Sequence, residues 1–365
     1  MGSSSTRQRD PWLDNTKMFL VTAVVVGHAW GLLISTGYAS WLYDFLFFWH
    51  IPAFVLVSGY LSRSFRWDRR HLRSLVTTLL VPYLLFEPAL YYFRHWLGQV
   101  STGNLWIVPH WTMWYLPALI MWRLATPLLR VNAAVVFPLS VVVSLVGGLW
   151  SGQILCLARV MGLLPFFVLG LYLTPASLRT MDRRWVRGLA VLAMVGILVA
   201  AHSTDEWART AFLYYDAGYQ DLGWHPLPAM QVRAIVIGLG MVGSLSVLAL
   251  IPRRGGWFAA MGSATMIVYL FHGFPIRYAD YLGWPEWAVA HPVVGTLVTT
   301  LGAVGLALLL ASPPVRRRLV WAVDPIGSWE RRRAALRRTA DEGPGPTTSG
   351  PPSATPAPPD PGPRR

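Results

Sequence analysis

The pattern in this chain best suited to chemistry is a lysine and a histidine on one apolar stretch, Lys17 and His28 within "WLDNTKMFLVTAVVVGH". If the stretch is helical, eleven steps of about 100° overshoot three turns by only about 20°, so both side chains share a face. They then lie about 16 Å apart along the axis. Asp14 falls one turn before Lys17 and is placed to pair with it. An imidazole at this depth can act as a general base towards a hydroxyl or accept a group covalently. Two plainer roles stand beside these. Lys17 near the end of a span can snorkel to lipid phosphates, and His28 can make a helix–helix hydrogen bond. Gly27 lets another backbone or a ligand approach His28 closely.

That arithmetic requires membrane helices, and the composition supplies them. Of 365 residues, 54% are hydrophobic and only 13% charged, about half the charged share usual in soluble proteins. Apolar runs recur at Phe19–Val26, Val131–Val146, Leu189–Ala201, Ala234–Ile251 and Val293–Ala311, near the roughly 20 residues that a span needs. The expected fold is an all-α integral membrane protein. We expect about ten transmembrane helices, near 12–34, 41–62, 74–96, 111–129, 132–150, 155–173, 188–201, 228–251, 257–277 and 291–311. The seventh is short and can extend back through the Arg-rich stretch before it. The first reads as a retained helix rather than a signal peptide, since no small-residue cleavage site follows it.

The formal charge of +14 does not point to nucleic acid, because the arginines sit in short clusters between apolar runs. With the N-terminus inside, Arg63–Arg73, Arg130, Arg179–Arg187, Arg253 with Arg254, and Arg316–Arg318 all fall on the cytoplasmic side. The expected location is a plasma (inner) membrane crossed many times, with both termini cytoplasmic. Four segments follow: a cytoplasmic stretch 1–11, a transmembrane domain 12–318, a basic juxtamembrane stretch 319–340, and a disordered Pro-rich tail 341–365. Trp329–Arg338 suits a basic helix on anionic lipid. The single cysteine, Cys156, allows no intramolecular disulfide and no cysteine-rich metal site.

This topology sets the depth of the other polar groups. His28, Asp44, His50, Glu87, His110 and His272 all fall in the outer half, where ionisable groups face the bundle interior and mark function. Glu87 is expected to orient a histidine base, as a carboxylate does in hydrolytic triads. On the cytoplasmic side Arg63, Arg66, Arg69, Arg70 and Arg73 crowd eleven residues. Topology alone explains two or three; five also suit a polyphosphate, which guanidinium forks grip bidentately. The longest outer loop, 202–226, mixes Asp205, Glu206 and Asp216 with Trp207, Tyr214, Tyr215, Tyr219 and Trp224. It fits either sugar stacking or an interfacial aromatic belt.

With these segments in hand, the chain resembles the membrane-bound acyltransferase family 3, and within it the fucose 4-O-acetylase-like branch. The first signature, a basic residue and then a histidine after ten more, is Lys17 and His28. The second is "FFWHIPAFVLVSGYL", with His50, Pro52, Phe54, Ser58 and Gly59. The third is "RRHLRSLVTTLLVPY", through Arg69, Arg70, Arg73 and Pro82. Weaker echoes are "HWTMWYLPAL" with His110, Trp111 and Trp114, "RVMGLLPFFVLG" with Arg159, and "MIVYLFHG" with His272. The resemblance implies acyl-CoA, chiefly acetyl-CoA, as donor and co-substrate with no permanently bound cofactor or metal. It further implies His28 as catalytic residue and O-acylation of a carbohydrate or glycosylated product across the membrane.

The reading is therefore an acyl-CoA-dependent membrane O-acyltransferase. His28, Lys17 and Glu87 are expected to carry the chemistry, and Lys17, Arg69, Arg70 and Arg73 to hold the donor. Asp14, His50, Ser58, His110, Trp111, Trp114, Arg159 and His272 are expected around the substrates. The expected partners are acyl-CoA, a carbohydrate-type acceptor and the lipid bilayer. The alternative from another class is a transporter whose His and Glu relay protons, although no internal repeat supports it. A passive scaffold fits poorly, because it needs no buried ionisable groups.

Overall fold

The computed structural model describes residues 10–34, 37–99, 104–150 and 154–341. All of the N-terminal segment before Asp10, and the Pro-rich tail beyond Asp341, lie outside the described residues. The regular structure is helical, with no strand among the described residues. The first helix, α1 (Pro11–Trp30), opens where Asp10 accepts the Trp12 N–H at 3.0 Å and Pro11 takes the first turn. Next is α2 (Gly37–Ser62), with Pro52 inside it. A third element, α3 (Arg69–Leu75), passes through a π-helical turn at 76–80 into α4 (Val81–Gly98). Asp68 caps α3 by accepting the His71 N–H at 2.8 Å. Hydrogen bonds from the His71 backbone and then its ring hold the Asp68 carboxyl below its ordinary range.

The chain continues through α5 (Tyr115–Leu129), α6 (Ala133–Gly147), α7 (Leu157–Gly162), α8 (Leu164–Tyr172) and α9 (Pro175–Thr180). Beyond them lie α10 (Arg184–His202), α11 (Thr204–Trp207) and α12 (Pro226–Leu250). The stretch from 257 breaks into α13 (Trp257–Met261), α14 (Thr265–Phe271), α15 (Gly273–Tyr281) and α16 (Trp284–Ala290). It is followed by α17 (Pro292–Ala311) and α18 (Pro313–Val323), which complete a compact unit ending at Asp324. The second unit begins at Pro325 and contains α19 (Pro325–Asp341). On α19 the Arg333 guanidinium lies 3.9 Å over the Trp329 ring.

The count of ten spans is not confirmed. Among the described residues five helices are long and apolar enough to cross a bilayer: Ala39–Ser62, Arg69–Gly98, Arg184–His202, Pro226–Leu250 and Pro292–Ala311. A sixth arises if Ile154–Gly162 and Leu164–Tyr172, bent by 56°, form one span. The shortfall has physical causes. Asp14, Asn15, Thr16 and Lys17 occupy the early turns of α1, which shortens its apolar part. Both α5 and α6 have 15 residues, about 22 Å against a hydrocarbon core of about 30 Å. The 257–277 stretch is broken at Gly262 and again at His272. The extension of the seventh span into the Arg-rich stretch does occur, since α10 begins at Arg184. The protein is thus a helical, multi-pass membrane protein.

The arginine clusters gather at one end of the bundle, hereafter the basic end. Arg63 donates to the Leu173 carbonyl at 2.9 Å, Arg130 to the Arg63 carbonyl, and Arg253 to the Leu178 carbonyl. Asn15 of α1 donates to the Pro252 and Arg254 carbonyls, each at 2.9 Å. Arg316 reaches Ser263 at 2.5 Å. At the opposite end the 203–225 loop folds over the bundle. It is tied to α2 by Thr210 donating to Asp44 at 2.8 Å and to α6 by Tyr219 donating to the Leu145 carbonyl at 2.7 Å.

At the centre, α2 packs on α8 with backbones almost touching. A Cβ at Gly59 would collide with the Phe167 carbonyl, and one at Gly170 with the Leu56 carbonyl. Small residues permit such close crossings in membrane bundles. Gly196 of α10, by contrast, faces open space. Gly170→Ala is therefore expected to destabilise by about 1–3 kcal/mol through overpacking, whereas Gly196→Ala stays within about 0.5 kcal/mol of wild type. Thermal unfolding of the two purified variants in the same detergent checks this.

Candidate active site

Two cavities lie in series along the bundle, and the same four stretches of chain line both. The far cavity, of about 280 Å³, is bounded by Gly27, His28, Tyr43, Phe47, Ile51, Trp111, Trp114, Arg159, Tyr214, Asp216 and Arg277. The cavity nearer the basic end, of about 190 Å³, is mostly apolar, with Lys17, Ser58, Thr78, Tyr115, Arg123 and Tyr269 on its wall. On α1, Lys17 and Leu20 face the near cavity while Gly27 and His28 face the far one. On α2 the lining residues Tyr43, Phe47, Ile51, Phe54, Ser58 and Leu61 recur every three or four positions, one helix face throughout. The 111–123 and 265–277 stretches divide in the same way. The shared face deduced for Lys17 and His28 is thus the face that lines both cavities.

His28, with Gly27, lies at the end of the far cavity's α1 lining nearest Lys17. Its ring packs edge-on against Trp111 at 4.8 Å and lies 5.3 Å from the ring of His272. Its nitrogens take no hydrogen bond among the described residues. His50 closes the third side: a methyl on Gly27 would come within 3.2 Å of the His50 Nε2. Gly27 is therefore the close-approach point that its position suggested.

Lys17 pairs with Asp14 at 2.7 Å, as spaced. Ser58 hydrogen-bonds to the Tyr115 hydroxyl inside the near cavity and also donates to the Phe54 carbonyl at 3.0 Å. Tyr269, on the wall of the near cavity, donates to the Thr112 carbonyl at 2.5 Å.

Glu87 does not orient His28. It is fully buried, and its Oε1 accepts both the His110 main-chain N–H, at 2.9 Å, and the His110 Nδ1. This pin acts one residue away, on Trp111, whose φ of 44° lies in the left-handed region. An L-residue there costs roughly 1–2 kcal/mol, and the pinned turn holds the Trp111 indole against His28. The Arg277 guanidinium stacks on the other side of that indole, 4.2 Å from a ring centroid. Arg159 stacks on Trp114 at 5.0 Å and bonds Asp216 at 2.5 Å and the Tyr214 carbonyl at 3.3 Å. The acidic–aromatic loop thus contributes Tyr214 and Asp216 to the far cavity. Tyr215 and Tyr219, by contrast, are packed away and cannot stack on a sugar.

On the surface of the basic end, an open cleft of about 820 Å³ is lined by Arg63, Arg66, Asp68, Arg70, His71 and Arg130, among others. Of the three arginines expected to hold a donor, Arg70 lines the cleft and Arg69 and Arg73 do not. Arg123 and Arg277 were missed in the sequence. Arg123 sits inside an apolar run of a predicted span, so the rule that singled out His28 applies equally to it.

The site belongs to a known kind of membrane enzyme. The family model for an acyltransferase domain, acyltransferase family 3, matches residues 10–312. No curated protein and no solved structure matches the chain. The match begins one residue before α1 and ends just after α17, so it takes in every residue lining both cavities. Covering more than four fifths of an all-helical membrane chain, it establishes that this protein belongs to acyltransferase family 3 and is a membrane acyltransferase.

Proposed function

We propose that the protein moves a short acyl group, acetyl first among candidates, from acyl-CoA to a hydroxyl of a carbohydrate or glycosylated product across the plasma membrane. The observation that carries this reading is the pair of cavities lined by one set of helix faces, with Lys17 on the wall of the near one and His28 on the wall of the far one. The arginine clusters support a cytoplasmic basic end, by the positive-inside rule. The donor's phosphates then sit in the cleft of Arg63, Arg66, Arg70 and Arg130, where guanidinium groups grip phosphate oxygens. Its pantetheine arm enters the near cavity between Lys17 and Arg123, and the apolar wall suits an arm of that kind. The acceptor occupies the far cavity, where Trp111, Trp114, Tyr43 and Tyr214 give faces for a sugar ring. This volume is close to the lower end of small-ligand pockets, about 300 Å³.

In the transfer, a His28 nitrogen takes the proton of the acceptor hydroxyl as its oxygen attacks the thioester carbonyl. The carbon–sulfur bond breaks, the ester forms, and the CoA thiolate leaves and takes up the proton from His28. An acyl-imidazole on His28 gives the same products in two steps. Glu87 supports this chemistry from a distance, by holding the turn that stacks Trp111 on His28.

Three outcomes are expected. His28→Ala should lower acyl transfer by at least about 100-fold, the usual contribution of a general base or more. Label from radioactive acetyl-CoA appearing in product at the wild-type rate would remove His28 from the chemistry. Arg123→Gln should raise KM for acetyl-CoA about tenfold with a smaller change in kcat, since it removes one charge-assisted contact worth about 1.5–3 kcal/mol. An unchanged KM would take Arg123 out of the donor path. Lys17 is the single lysine of the chain, so amine-directed reductive methylation followed by mass spectrometry reports on it alone among side chains. Saturating acetyl-CoA should protect Lys17 several-fold, and equal labelling with and without acetyl-CoA would contradict the donor's route.

A further inference from the structure

Two buried histidines flank His28, and the backbone dictates which nitrogen of each carries hydrogen. The His50 Nδ1 is 2.8 Å from the Leu46 carbonyl oxygen. The His272 Nδ1 is 2.7 Å from the Tyr269 carbonyl and 3.0 Å from that of Val268. A carbonyl oxygen can only accept, so in both neutral rings Nδ1 must be the N–H and Nε2 must keep its lone pair. The preceding helical turn therefore locks both rings in one tautomer, and the nitrogen left over is an acceptor.

For His272 that acceptor is unanswered. The residue is fully buried, and its Nε2 has no hydrogen-bond partner among the described residues. A buried acceptor without a donor forfeits its hydration with nothing in return. The ring beside it, 5.3 Å between centroids and tilted by 32°, is His28. The His28 nitrogens are equally without a partner among the described residues. His50 approaches the neighbouring Gly27 instead and has no comparable ring contact with His28.

We infer that His272 is the positioning partner of His28: its tautomer-locked Nε2 accepts the N–H of the nearer His28 nitrogen, which presents the other His28 nitrogen, bare, to the reacting groups. This rests on the reading of His28 as the reacting residue. In hydrolytic triads a carboxylate does this work, but here Glu87 is committed to His110, and Asp216, which lines the same cavity as His28, to Arg159. A neutral imidazole fixes the tautomer without placing a negative charge in the membrane interior, where an unpaired carboxylate is costly. When His28 takes the hydroxyl proton it becomes an imidazolium, and its N–H to His272 persists. His272 gains and loses no proton in the cycle.

The test uses the full chain expressed in a strain deleted for it, with radiolabelled acetyl-CoA as donor and that strain's membranes as the acceptor pool. His272→Leu removes the lone pair, whereas the Oε1 of His272→Gln can still accept near the same place. His272→Leu is expected to lower kcat about 100-fold with KM for acetyl-CoA within twofold, and His272→Gln to regain at least tenfold of that loss. Thermal unfolding confirms that each variant is folded. A kcat for His272→Leu within threefold of wild type overturns the inference, as does an equal loss in both folded variants.

Nitrogen-15 ring spectra of histidine-labelled protein read the same bond without turnover, and so decide the matter should a variant not fold. His28 is expected in a single tautomer in the wild type. Averaging between tautomers overturns the pairing even where transfer proceeds. A fixed His28 tautomer in a protein that transfers no acetyl group would overturn the proposed function and leave the pairing standing.

Discussion

Inside a bilayer no water is at hand to satisfy a polar group, so each ionisable side chain needs a protein partner or a cavity of its own. This constraint organises the bundle. Glu87 with His110, Arg159 with Asp216, and Lys17 with Asp14 are paired. Arg233, almost fully buried on α12, lies over the rings of Tyr215 and Tyr219 and donates to the Ser144 carbonyl at 3.3 Å. Each of these pairs also fastens an irregular segment: the turn carrying Trp111, the 203–225 loop, or the start of α1. Among the described residues His28 makes no ion pair, and the Arg123 side chain has only a 3.3 Å bond to Ser62. Both line cavities.

Polar side chains in this protein thus do two kinds of work, and the helix faces sort them. Residues on the cavity-facing strip of α1, α2, 111–123 and 265–277 line the two cavities. Those one or two positions away hold the strip in shape. Gly59 and Gly170 let α2 approach α8 to backbone contact. The crossing keeps one face of α2 running past both cavities, so a single helix carries Ser58 in the near cavity and Ile51 in the far one. The breaks that shorten the predicted spans serve the same end. The bend between α14 and α15 falls at His272, and the turn before α5 carries Trp111.

How much of this was legible beforehand follows from range. Periodicity and rotation are local, so the helical fold, the common face of Lys17 and His28, the Asp14 pair and the role of Gly27 could be read from neighbouring residues. The gathering of arginines at one end follows from the same apolar runs. Pairings across long separations could not be read. Depth alone suggested Glu87 for His28, yet Glu87 is paired with His110, 23 residues on. Nothing local separates Arg70, which lines the basic cleft, from Arg69, which does not. Arg123 was legible in principle, being an arginine within an apolar run. The number of spans is not confirmed at ten, because several of the apolar runs are divided by breaks that only packing explains.

The central claim is that an acyl donor entering from the basic end brings its thioester to His28. A structure of the full chain with a non-transferable acetyl-CoA analogue tests it most directly. The account predicts phosphates among Arg63, Arg66, Arg70 and Arg130, the pantetheine arm passing Lys17 and Arg123, and the acyl carbon within about 4 Å of the His28 ring, close to van der Waals contact. An analogue bound with its acyl end in the cleft, or entering from the far cavity, would contradict it.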